Sequence, residues 1–185
     1  EYARRTPRVS WSEAETLTLP WDQLTAEEQG EHASEKDQPV AVQRWRQKRV
    51  TEYHRLAVRR GAHPADERSV RPIILLQQQG HIDRVFSIAI RDTRVAICVG
   101  AYWSALPLDF YHRTTGKKDF RSDIADKMPV PFGFSASLAA RFLASICLTT
   151  HYAPLWAEVF TSDFTTQRWS QPDNPRLPQA FFANL

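Results

Sequence analysis

The chain has no run of about eighteen apolar residues, which excludes a long membrane-spanning helix. Its polar, charged N-terminus carries no signal-peptide pattern. Cysteine is scarce: Cys98 and Cys147 stand far apart, each inside an apolar helical pattern. Two such residues read as small buried hydrophobes in a reducing compartment, so the expected location is cytoplasmic. No Gly-x-Ser-x-Gly elbow and no P-loop occurs. His32, His54, His63, His81, His112 and His151 show no i, i+4 pairing and have no cysteine pair beside them. The common zinc spacings are therefore missing. No internal repeat is visible.

Apolar and aromatic residues make up 42% of the 185 residues, enough for one domain with a proper core and a smaller appendage. A net charge of +3 and a pI near 9.0 permit nucleic-acid binding without requiring it. The chain opens on Glu1 rather than Met and stops on Phe181-Phe182-Ala183-Asn184-Leu185, and we read it as a fragment of a longer polypeptide.

Charge is unevenly spread. From Ser10 to Asp37 eight acids face Lys36 alone; from Ala41 to Arg60 seven cations face Glu52 alone. The acidic stretch, broken by Pro20 and Gly30, reads as a loosely helical segment or linker, with Trp11 and Trp21 pinning it to a neighbour. The basic stretch reads as a helix passing into a strand near Leu56–Arg59. Its cations do not share one helical face, which favours a solvated surface.

A turn is expected over Gly61–Asp66. Pro72-Ile73-Ile74-Leu75-Leu76 and Val85–Ile90 then read as strands, a hairpin or neighbours in a small mixed sheet. Ala96, Val99, Trp103, Leu106 and Phe110 recur at helical steps, and Pro107 should kink or split that helix. A short helix follows from Ser122 to Met128 and stops at Pro129 and Pro131. Another is marked by Leu138, Ala139, Phe142, Leu143 and Ile146, and a last spans about Pro154–Phe160, capped by Thr149 or Thr150. Beyond Thr161 the sequence is loop-like. The fold class is α/β, mixed α+β: a small mixed sheet packed against several helices.

Side chains on turns carry the remaining chemistry. Arg113, Lys117, Lys118 and Arg121 form one cationic cluster; Arg91 and Arg94 form another; Gln77, Gln78 and Gln79 make an amide-rich loop. Arginine reads guanine's acceptor pair in the major groove and glutamine pairs bidentately with adenine, whereas loop lysines usually meet phosphates. The cationic groups are expected to converge on one saddle shaped for duplex DNA. His81 and His112 border loops within reach of a ligand. Asp119, Asp123 and Asp126, with Glu67, sit on a polar helix rather than a strand-centred core and do not make a nuclease site.

Several passages in order resemble a known family. Tyr53–Arg60, Asp66-Glu67-Arg68-Ser69-Val70-Arg71-Pro72-Ile73-Ile74, and Gly80-His81-Ile82-Asp83-Arg84-Val85-Phe86-Ser87 are followed by Ser104–Tyr111 (SALPLDFY) and Gly116–Pro131 (GKKDFRSDIADKMPVP). Together with Leu138–Val159 they resemble the target-recognition region of type IIG, TaqI-like, adenine-specific DNA methyltransferases of restriction-modification or phage-defence systems. The resemblance covers about residues 45–160. It implies a target-recognition core over 41–135 and a closing helical region over 136–160; residues 1–40, read as an acidic linker or peripheral segment, and the proline-rich tail over 161–185 find no clear counterpart in the family. It also implies duplex DNA as partner and a methyltransferase domain, in the same polypeptide or complex, that binds S-adenosylmethionine. The chain itself departs from a complete enzyme of that kind. Pro131-Phe132-Gly133-Phe134 has the wrong spacing for a cofactor loop, and Asp173-Asn174-Pro175-Arg176 lacks the second proline and aromatic of the adenine-binding tetrad. A competing reading is a protein-interaction module, with six tryptophans for partner packing and the acidic block masking the basic one.

Overall fold

The computed structural model describes residues 6–61, 66–171, 173–176 and 181. The chain divides into two compact units, Glu1–Val50 and Thr51–Leu185.

In the first unit the acidic stretch is helical over Ala26–Glu31, as expected, whereas its Glu13–Leu19 part and the start of the basic stretch form facing strands in place of a linker and a helix. β1 (Glu13–Leu19) pairs antiparallel with β2 (Val40–Arg46), in a register that sets Glu13 opposite Arg46 and Glu15 opposite Arg44. Both strands alternate in exposure, and alternation is the signature of a half-buried ribbon. The start of the acidic stretch and the start of the basic stretch thus belong to one element pair. Arg46 bonds Glu15, Lys48 Nζ lies 3.1 Å from Glu13, and Arg44 lies 2.9 Å from Glu28. Glu28 also closes a capping box with Thr25 at the start of α1 (Ala26–Glu31). Its bond from Arg44, then that from the Thr25 amide, holds its carboxyl down at about 2. Leu24, Val40 and Val42 form a small core, with Leu19 and Trp21 packed on it.

The second unit is built on a three-stranded sheet in which β3 (Arg55–Arg59) lies between β4 (Pro72–Leu75) and β5 (Val85–Ala89). Both pairings are antiparallel, so the fold is mixed α/β but neither sheet is mixed, and β4 and β5 are not neighbours. The reason is that β3, with four of its five residues buried, takes the central place a hairpin would deny it. The turn expected over 61–66 falls on residues 62–65, outside the described residues.

α2 (Thr93–Trp103) starts from Asp92, whose side chain accepts the amides of Arg94 and Val95. The chain breaks at Ser104, and α3 (Leu106–Thr114) restarts with Pro107 in its first turn, the split that a mid-helix proline requires. α4 (Ser122–Ala125) is short, and α5 (Ala136–Ile146) is capped by Ser135. α6 (Ala153–Val159) has Pro154 in its first turn. Tyr152, not a threonine, holds its cap position, because Thr150–Tyr152 already form a 3-10 turn. Another 3-10 turn, Ser162–Thr166, lies within the stretch expected to be loop.

The main core joins Leu56, Val58 and Ile74 of the sheet to Ile97 and Trp103 of α2 and to Phe142 and Leu143 of α5. Gly100 marks where these layers come closest: a Cβ there would lie 2.6 Å from the Phe142 ring and 2.9 Å from Leu56 Cδ1. Cys98 and Cys147 are free and buried, and burial pushes the Cys147 thiol up to about 12. Among the described residues no helix is long and apolar enough to cross a membrane.

Candidate nucleic-acid interface

The register of the three-stranded sheet decides where the candidate contact residues lie. Arg55 pairs with Leu75 on one side and Ala89 on the other, so Gln77–Gln79 and Arg91 lie just past the same end of the sheet. At the far end, Phe120 donates its amide to the Arg60 carbonyl at 2.7 Å, and Gly61 bridges Asp119. Lys117, Lys118 and Arg121 therefore crown that opposite end, roughly 15 Å away for a five-residue strand. The single saddle expected for all these cations is not what forms: connecting loops carry them to two ends of one sheet.

Each end has its own electrostatics. At the Arg60 end most cations are already paired. Lys117 lies 3.4 Å from Asp123, Arg121 lies 3.0 Å from Asp119, and Arg60 bonds Asp83 and lies 3.6 Å from Asp119. Arg121 chiefly, against the cost of burial and with help from Arg60 and Arg84, holds Asp119 below the usual carboxylate range. Lys118 is exposed and makes no ion pair with a described residue. These exposed pairs are worth little to stability, and a phosphate competes easily for their cations.

Arg113 has a different task. Its Nε lies 3.0 Å from the buried Asp109, one helical turn earlier on α3, and its Nη2 donates to the carbonyls of Asp66 and Glu67 at 2.7 and 2.9 Å. Asp109 also accepts the amides of Ser69 and Val70 and the Ser69 hydroxyl. His112, 1% exposed, reaches Ser69 Oγ at 3.3 Å and rests against Phe120, so it is sealed from any ligand. Burial pushes its imidazole down, against the pull of Asp109. Sequence reasoning counted Arg113 among the DNA-facing cations and missed this knot. The available signal was the Asp109–Arg113 spacing of i, i+4.

At the Arg55 end, Gln77 and Gln78 are exposed, and Gln78 is the one described non-glycine residue with positive φ, at 63°. Gln79 is committed: its side-chain oxygen accepts the Leu76 amide at 3.0 Å and its carbonyl accepts from Arg55. His81 is half-buried; Nε2 meets Ser87 Oγ at 2.7 Å, and Nδ1 meets the Ile82 carbonyl at 3.0 Å. Arg91 and Arg94 are exposed, and the Arg94 guanidinium stands 5.7 Å from the Phe134 ring centre, a cation–π arrangement.

Other chemistries fare as follows. Among the described residues no three His, Cys, Asp or Glu side chains form a group able to hold a metal. Asn174 accepts the Arg176 amide at 3.0 Å and so caps its own turn. Both sheets are antiparallel, and the strand–glycine-turn–helix crossover of a parallel dinucleotide-type sheet is not among the described residues. Of the six tryptophans, Trp45 is exposed, Trp103 is buried and the other four are partly buried. No protein-family model, no curated protein and no solved structure matches the chain.

Proposed function

We propose that this chain is the DNA-reading part of an adenine-specific DNA methyltransferase of a restriction-modification or phage-defence system, working in the cytoplasm. Base methylation would belong to a separate S-adenosylmethionine-binding domain of the same polypeptide or complex. The observation that supports it best is the sorting of polar chemistry by sheet end. An amide-bearing turn and Arg91, with Arg94 three residues further on, lie past one end, and lysines suited to phosphate occupy the other. Phosphate contacts fix register, while groove contacts carry sequence information, so a reader needs both kinds. The span of roughly 15 Å between the ends is within the reach of one duplex face.

The test is titration of the 185-residue chain into labelled duplex DNA at several salt concentrations. The affinity should fall steeply with salt, because bound phosphates release counterions. Changing Lys117, Lys118 and Arg121 together to alanine should remove most of that binding. Unchanged affinity in the triple variant would refute the DNA-binding role of this loop.

One observation favours protein docking as well. Leu106 and Phe110 on α3 are each 69% exposed, and Val130 and Phe132 are 57% and 107% exposed. The Trp103 indole bonds the Pro129 carbonyl at 3.0 Å and so holds that segment beside the α2–α3 break. Exposed apolar side chains mark docking surfaces where they form a contiguous patch. Serine at Phe110 and Phe132 should leave DNA binding intact if this face meets a protein rather than DNA.

A further inference from the structure

We infer that Gln77 and Gln78 are the base-reading tip of the domain and that they contact the major-groove edge of an adenine. This rests on the DNA-reading function proposed above and assigns roles within it. Three observations converge on the turn Leu76–Gln79.

The first is strain. Gln78 lies at φ 63°, in the left-handed region where glycine or asparagine is the low-cost choice. Backbone strain of this kind persists where the side chain serves a function that glycine would abolish.

The second is rigidity. The Gln78 amide donates to the Thr51 carbonyl at 2.7 Å, the Leu76 amide donates to the Gln79 side chain at 3.0 Å, and Arg55 donates to the Gln79 carbonyl. The turn is therefore held before any ligand arrives, which lowers the entropy cost of binding.

The third is division of labour. Bidentate pairing with adenine needs both the amide oxygen and the amide NH2. Gln79 has given its oxygen to Leu76, which removes it from the reading set. The side chains of Gln77 and Gln78 are exposed, and neither bonds a described residue. A turn this narrow enters a major groove roughly 12 Å wide. Lys118, at the opposite end, supplies charge without base information.

The experiment is selection of binding sites from a random duplex pool by the 185-residue chain, by Gln77→Ala and by Gln78→Gly. The wild type should enrich an adenine at one or two fixed positions. Each variant should lose roughly five- to a hundredfold of that preference, the usual worth of a bidentate pair, while the salt dependence of binding stays unchanged. Gln78→Gly should also raise the melting temperature, because it relieves the left-handed strain, so lost selectivity cannot be blamed on misfolding. Duplex binding with the same base preference in both variants overturns this inference alone. Failure of the wild type to bind duplex DNA at any salt overturns the DNA-reading function and this inference with it.

Discussion

Asp109 and Ser69, forty residues apart in the chain, are joined by two hydrogen bonds, from the Ser69 amide at 2.7 Å and its hydroxyl at 2.9 Å. With the Val70 amide and Arg113, they staple the segment before β4 onto α3. Removing the carboxylate strands several buried donors and takes the counter-charge from two cations, Arg113 and Arg68, at once. Asp109→Ala should therefore cost about 3–5 kcal/mol, the range for breaking a buried ion pair from one side. Urea unfolding measures it; a loss below about 1 kcal/mol would mean that the knot tolerates water.

The same knot sets two pH windows. Burial alone would raise the Asp109 pKa, but bonds from Val70, Ser69 and Arg113 outweigh it and hold the carboxyl at about 2, against 3.8 unperturbed. A depressed acid stabilises fully above its unfolded pKa. That share, about 2 kcal/mol at 1.36 kcal/mol per pH unit, should disappear as pH falls from about 4 to about 2. His112 acts with the same sign in a milder range. Burial lowers its pKa below 6.5, so the unfolded chain takes up a proton first and stability falls as pH drops below that value. Stability measured from pH 7 to 2 should show both losses. In His112→Leu the upper one should shrink; an unaltered profile would sink the assignment.

What the sequence made legible follows physical range. Pro107 acts within its own turn, and α2 and α3 do separate there. The apolar run 72–76 and the stripe Leu138–Ile146 report burial directly, and both become core elements. The β1–β2 ribbon was missed because its strands meet across a long connection, and charge dominated the reading. Glu15 finds Arg46 thirty-one residues away, a partner no local pattern names. The site divides in the same way. That Gln77 and Lys118 lie on turns is local information, whereas their separation depends on strand register, which only pairing across the sheet sets. His112 reads locally as a loop-border residue within reach of a ligand, and that reading assigns Asp109 no role. Their partner, Ser69, lies about forty residues upstream.

Gly100 tests how closely the sheet, α2 and α5 are packed. Alanine there gains roughly 1 kcal/mol of helix propensity. It also places a methyl 2.6 Å from Phe142 and 2.9 Å from Leu56. Both neighbours are buried, and overpacking costs about 1–3 kcal/mol. Gly100→Ala should therefore be destabilised by about 1 kcal/mol net. A second change, Phe142→Leu, should cost less in that background than in the wild type, since it opens room for the methyl. An alanine variant as stable as the wild type would show slack between the layers.

Arg113 and Lys118 look alike in sequence, two exposed cations near one loop, yet their surroundings assign them opposite roles. Arg113 is spent on Asp109 and two carbonyls; Lys118 makes no ion pair with a described residue. Arg113→Ala should lower the urea midpoint clearly, because it removes the nearer of the two cations beside Asp109 and leaves only Arg68, at 3.9 Å. The slope of log affinity for duplex DNA against log salt should stay as in the wild type. Lys118→Ala should do the reverse: stability within about 0.5 kcal/mol of wild type, and a slope shallower by about 0.9, the share of a single neutralised phosphate. Measuring both variants by urea unfolding and by salt-dependent binding separates the two roles. If Arg113→Ala flattens the slope while the midpoint holds, Arg113 faces phosphate and the knot around Asp109 does not need it.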